Sequence, residues 1–305
     1  MQRHFLVLVS LSTALLSFAP AQAEDPSSKP SDPPVHGVHW ARGVKSSNAA
    51  SPLRTTTAGA MTFHNGVIMP TVVSKAIFWG TSWANYQGDK ITGLDKWYTG
   101  HANSNYAKTV DEYTGINGQA TPVMTHQGHI IDTSPAAGGG STSAILGEVC
   151  KAVTAGSIVP DAAGNGYYPV YTDVKRGSAN YCAWHSSGMC GSVRVQFAFF
   201  FNLDGDAGCD PVDTTTSHSQ GLAALASVTA HELSEARSDP ASPGAWYDSK
   251  GAENGDKCAW TFNVPTVTFS DGTQWKLQGE WSNAAYLAGT GYPNSSGQKG
   301  CVDGH

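Results

Sequence analysis

Residues 229–240 read TAHELSEARSDP. His231 and Glu232 are adjacent, as in zinc-peptidase helices of the H-E-x-x-H type, but Glu235 stands where that pattern has its second histidine. Side chains four apart on a helix share a face, so His231 and Glu235 project together, with Glu232 about 100° to one side. In such helices the i, i+4 pair holds the metal and the intervening glutamate takes a proton from water. A carboxylate can replace the histidine, because zinc accepts Asp/Glu oxygen and His nitrogen at similar distances. The extra anion weakens the Lewis acid and moves preference toward harder ions, so Zn²⁺ is expected with Mn²⁺ or Ca²⁺ as alternatives.

A metal needs a third ligand. The stretch AWYDSKGAENGDKCAW supplies Asp248, Glu253 and Asp256, of which Glu253 and Asp256 lie 18 and 21 residues past Glu235. That is room for the chain to turn back onto the helix. The expected roles are His231 and Glu235 as ligands, Asp256 or Glu253 as the third, and Glu232 as general base. The plain alternative is a His–Glu helix pair worth a few tenths of a kcal/mol, roughly 0.2–0.5.

Other candidates compete. His185 in CAWHSSGMC would stabilise an oxyanion or orient substrate beside the helix, or else be a loop histidine pinned by a disulfide. His126, His129 and Asp132 in THQGHIIDTSP read as an ordinary polar loop. Asp204, Asp206 and Asp210 in NLDGDAGCDP lack the ligand spacing of an EF-hand and read as a surface turn. His36 and His39 have metal-like spacing but fall in a Pro/Ser/Thr-rich tail, where solvated side chains are expected. The glycine run AAGGGS has no P-loop lysine, and no G-x-S-x-G elbow is present.

These residues need elements to hold them. With Leu222 at zero on a helical wheel, Leu225, Ala226, Thr229, Leu233 and Ala236 fall within roughly 60° of it, and His231 and Glu235 on the opposite side. The helix over 217–239, stopped by Pro240, should thus pack its leucines on a sheet and line a cleft with its polar face. VSKAIFWGTSW reads as a buried strand ending near Gly80, as do GYYPVYTDV and SVRVQFAFFFNL, the last apolar enough to need cover on both faces. TGLDKWYTGHANSNYAKTVDEY reads as helix in two pieces around Gly100, and GGGSTSAILGEVCKAV as a capped helix. Short strands such as TVTFSDG and QWKLQGEW follow in a loop-rich C-terminal third. Strands alternating with helices predict one α/β domain over 60–305, a mixed sheet with packed helices.

The organisation before it is simple. Residues 1–23 read as a secretion signal: a basic start, the apolar FLVLVSLSTALLSF, and AQA before Glu24. Residues 24–59 read as a disordered linker. A secreted chain, extracellular or periplasmic, is expected, with no membrane span, since no apolar run is long enough. Eighteen basic against 24 acidic residues give −6, and no Lys/Arg stripe suits nucleic acid. The six cysteines (Cys150, Cys182, Cys190, Cys209, Cys258, Cys301) favour up to three disulfides, fifteen pairings being open, with Cys182 and Cys190 near enough to close a small loop. Trp79, Trp83, Trp97, Trp246, Trp260 and Trp281 could build a sugar platform, although most are more simply core.

MTFHNGVIM and IFWGTSW, then YCAWHSS, GDAGCD and the DP…AWYD…DKCAW block, together resemble the Exordium-like, or phosphate-induced protein 1, family. The resemblance runs from about Phe63 to Cys301. Cys182, Trp184 and His185 match the family's C-x-W-H stretch, and Cys258 its cysteine after the helix. It implies an exported, wall-associated role. The order of strands, H-E helix and downstream acidic loop is also similar to zincin metallopeptidases. Two functions follow as expectations: a metal-dependent hydrolase, a peptidase acting on proteins or peptides, or a non-catalytic protein that binds cell-wall polysaccharide.

Overall fold

The computed structural model describes residues 33–44 and 59–305. The expected signal at 1–23, and the parts of the expected linker at 24–32 and 45–58, lie outside the described residues.

Six strands form the principal sheet: β1 (Val35–Trp40), β2 (Val72–Trp79), β3 (Met124–Asp132), β4 (Gly166–Lys175), β5 (Tyr181–Cys190) and β6 (Val193–Asn202). Their order is β1-β5-β6-β4-β2-β3. β3, β2, β4 and β6 run parallel to one another, while β5 and β1 are antiparallel to their neighbours. The sheet is therefore mixed, and the protein is mixed α/β. Five α-helices accompany it among the described residues: α1 (Lys90–His101), α2 (Thr142–Thr154), α3 (Gln220–Ser238), α4 (Asn254–Lys257) and α5 (Asn283–Ala288).

The local signals behave as physics requires. Seven of β6's ten residues are buried, Val195 through Phe201, which needs cover on both faces. α2 starts where the Ser141 side chain accepts the Ala144 N–H, and α3 where Ser219 accepts the Leu222 N–H. α3 ends at Asp239, because Pro240 cannot continue it. α1 and α3 touch at Gly93, where a Cβ would stand 2.4 Å from Leu222 Cδ2, so a side chain there would push the helices apart.

Several expectations are corrected. Val35–Trp40, placed in the linker, is instead the edge strand β1, and His39 is fully buried because that edge is covered by α3 and the 245–260 segment. THQGHIID is the other edge strand, not a loop; His126 and His129 both turn to Asp95, at 2.9 and 2.7 Å. The H-E helix is not amphipathic toward solvent, since every residue of α3 after Gln220 is buried. Cys182 and Cys190 do not pair with each other. The bonds are Cys150–Cys190, Cys182–Cys209 and Cys258–Cys301, with no free cysteine among the described residues. Three disulfides fit a secreted chain. No described helix is long and apolar enough to cross a membrane.

Asp204 and Asp206 have cations of their own, Lys90 at 2.6 Å and Arg176 at 2.6 Å, so that turn is closed by ion pairs. Trp79, Trp83, Trp97 and Trp281 are buried, as core residues should be.

Candidate metal centre

α3 presents His231, Glu232 and Glu235 toward β5, β1 and α4. From β5 comes His185. From the turn that opens α4 come Glu253, at its N-cap, and Asp256, which accepts the Glu253 N–H in a capping box. The Cys258–Cys301 bond lies immediately after α4 and fixes it to the C-terminal strand Lys299–Val302. The six residues given roles in the expected site meet here, while Asp248 pairs with Lys257 instead.

The contacts centre on Glu235. Its Oε1 lies 3.0 Å from His231 Nε2 and accepts the Asp256 N–H at 2.9 Å. Its Oε2 lies 3.6 Å from His185 Nε2, which is also 3.4 Å from Glu253 Oε2. Asp256 Oδ1 is 3.8 Å from His231 Nε2. Ligand atoms gather in two groups that share Glu235: His231–Glu235–Asp256 and His185–Glu232–Glu235.

This cluster is buried and poorly satisfied. His231, Glu232 and Glu235 are fully buried, and His185 and Glu253 nearly so; only Asp256 keeps 23 % of its side chain exposed. Six atoms have no hydrogen-bond partner: both nitrogens of His185, His231 Nε2, and one oxygen each of Glu232, Glu235 and Glu253. Orphaned polar atoms of this kind cost roughly 1–3 kcal/mol each unless a ligand meets them. Lys257, next to Asp256, turns to Asp248 at 3.2 Å, and Arg237 directs its guanidinium at the Ala107 and Thr121 carbonyls.

Burial therefore governs the protonation states. It pushes the Glu235 carboxyl up to about 8. Glu232 and Glu253 are raised by the same cause and by neighbouring carboxylates, and Asp256 is raised by burial and Glu235. Burial holds His231 down to about 4 and keeps His185 and His39 neutral.

Gln278, which the sequence did not flag, fixes the His231 tautomer. Its Oε1 accepts from the Trp260 N–H at 3.2 Å and lies 3.3 Å from His39 Nε2. Its amide nitrogen donates to Gly255 O at 2.9 Å and faces His231 Nδ1 at 3.0 Å. The carbonyl and the peptide N–H leave one orientation for this amide, so Nδ1 is the acceptor and the His231 proton sits on Nε2. A cation on His231 Nε2 would need the proton moved and the amide turned over, losing two bonds. His185 carries no such constraint.

Does a cation fit? Ligand atoms about 2.0–2.1 Å from a tetrahedral ion stand roughly 3.3–3.5 Å apart. The His185–Glu235 contact, at 3.6 Å, is too long for a hydrogen bond and near that edge length. The donor set, carboxylate oxygens with imidazole nitrogen, suits Zn²⁺ and harder ions. A surface depression of about 220 Å³, lined by His36, Asp239, Tyr247 and Glu253 among others, meets the cluster at Glu253.

β1 was the other feature missed. The His39 N–H donates to Glu232 Oε1 at 3.0 Å, and the His39 ring lies 4.1 Å from that of His231. The H-x-x-H spacing of His36 and His39 was the available signal, and the surrounding prolines and serines hid it. No family model, curated protein or solved structure matches the chain.

Proposed function

We propose that this Exordium-like chain is a secreted metal-dependent hydrolase acting on peptides, with a divalent cation, Zn²⁺ in the first place, held at Glu235. One observation carries the reading: buried, unpartnered imidazole nitrogens and carboxylate oxygens gather around Glu235 in two overlapping groups. Left metal-free, so many carboxyls in one dry cluster must keep protons at neutral pH, at a cost in stability. A bound cation supplies the missing positive charge and would polarise a peptide carbonyl.

The ligand set expected from the sequence is His231 and Glu235 with Asp256 or Glu253 as the third, and Glu232 free as the base; of the two, Asp256 is the one that groups with His231 and Glu235. The Gln278 amide favours the other set, His185, Glu232 and Glu235. In that arrangement Glu232 binds the ion, His231 Nε2–H is a donor held beside Glu235, and Glu253 is the carboxylate placed to accept a proton. Glu253 suits that part because it lines both the depression and the site.

Elemental analysis of protein purified without chelator, then dialysed against Zn²⁺, Mn²⁺ or Ca²⁺, tests the centre. Wild type should hold metal and hydrolyse denatured protein in a chelator-sensitive way, and Glu235→Ala should lose both. Glu232→Gln separates the ligand sets: metal is lost if Glu232 is a ligand and kept if it is the base. A wild type that takes up no ion overturns the reading and leaves polysaccharide binding, measurable by retention on an immobilised glycan, as the function to pursue.

A further inference from the structure

β1 passes beside the Glu235 centre. It pairs antiparallel with β5, Gly37 opposite His185, Val38 opposite Trp184 and His39 opposite Ala183, with an irregularity between Val35 and Gly37. An ideal Cβ on Gly37 would stand 2.1 Å from Glu235 Oε2 and 2.4 Å from His185 Nε2. Any side chain there would have to push the buried ends of Glu235 and His185 aside. Two residues on, the His39 N–H takes one oxygen of Glu232.

What holds this strand is also informative. The Thr142 hydroxyl donates to Pro33 O at 2.6 Å, the Ser186 hydroxyl to Pro34 O at 2.6 Å, and Trp260 Nε1 to Trp40 O at 2.9 Å. These side-chain donors, set in the body of the protein, are aimed at main-chain carbonyls. With the β5 edge between them, they read a backbone and not a side-chain sequence. Strand addition of this kind is a general mode of peptide recognition, in which main-chain bonds give affinity and a few positions give selectivity.

We propose that β5 and its flanking donors form a peptide-binding cleft, that its ligand is an extended chain with glycine opposite His185, and that residues 33–44 are its intramolecular occupant. The inference rests on reading the Glu235 centre as a peptide hydrolase, and it confines wild-type hydrolysis to the molecules in which the strand has left its edge. A peptide cannot reach Glu235 and His185 without occupying the space of Gly37.

The test uses the full chain carrying Gly37→Ala, whose added methyl would meet the buried ends of the Glu235 and His185 side chains and is expected to displace the strand. Hydrogen exchange should show the Val35–Trp40 amides losing protection at least 100-fold while α3 is unchanged. A synthetic peptide, PPVHGVHWARGV, should then restore protection to Tyr181–Ser187 of the variant, and the same peptide carrying Gly37→Ala should bind at least tenfold more weakly. Metal-loaded Gly37→Ala should hydrolyse unfolded polypeptide at least tenfold faster than wild type, and the peptide should suppress it. Should Gly37→Ala fail to fold, Thr142→Val removes one anchor away from the centre and should speed exchange in 35–40 alone. Three results overturn the proposal: a strand that stays protected in Gly37→Ala, loss of protection that spreads equally to α3, or a vacated edge that does not take the peptide back. If the peptide rebinds but no form holds metal or cuts polypeptide, the cleft stands and the hydrolase reading fails.

Discussion

Replacing Glu235 by glutamine tests the electrostatics of the centre without changing its shape. The glutamine keeps an oxygen for the Asp256 N–H and removes the group that burial holds protonated. In metal-free wild type, Glu235 titrates near 8 when folded and near its ordinary 4.5 when unfolded, while His231 titrates near 4 when folded and near 6.5 when unfolded. Between about pH 4.5 and 6.5 the two oppose: the folded state holds the Glu235 proton, and the unfolded state holds a histidine proton. Above pH 6.5 only the carboxyl counts. The unfolded chain then binds fewer protons, so stability falls as pH rises toward 8. At about 1.4 kcal/mol per unit, that 1.5-unit span loses about 2 kcal/mol, and the raised Glu232 and Glu253 act in the same direction. Urea unfolding in chelator, disulfides intact, should show this decline in wild type and a decline about 2 kcal/mol smaller in Glu235→Gln. Zn²⁺ at 100 times its Kd should restore about 2.7 kcal/mol to wild type and nothing to the variant. A wild-type curve that is flat or rising from pH 6.5 to 8 without metal refutes the argument, because the carboxyls would then be ionised without penalty.

Other outcomes follow from the packing. Cys258→Ser with Cys301→Ser opens a 43-residue loop and should lower stability by about 4 kcal/mol, read from the urea midpoint, and weaken metal retention because α4 is released. Arg237→Met leaves the Ala107 and Thr121 carbonyls unpaired in a buried site and should lose about 3 kcal/mol in the same assay. Leu233→Ala empties a fully buried position on α3 and should lose about 3 kcal/mol by thermal unfolding, with metal content unchanged.

The sequence by itself determined what depends on near neighbours. The leucine spacing and Pro240 placed α3 within a few residues, and the i, i+4 geometry put His231 and Glu235 on one face. β-branched and aromatic runs marked β2, β4 and β6, because those strands are buried on both sides and need no alternation to betray them. The acidic loop could be named as a partner because it follows the helix closely. Edge strands were harder. β3 carries histidines that look like a polar loop until Asp95 meets them, and β1 sits among prolines and serines whose composition argues for disorder. Tertiary structure alone decided the protonation of the centre and its cover. The amide that sets the His231 tautomer is 47 residues away, and the N–H that engages Glu232 is 193 residues away. Periodicity reports only which residues share a face of one element; the fit between faces of different elements depends on volumes and directions that no local pattern encodes.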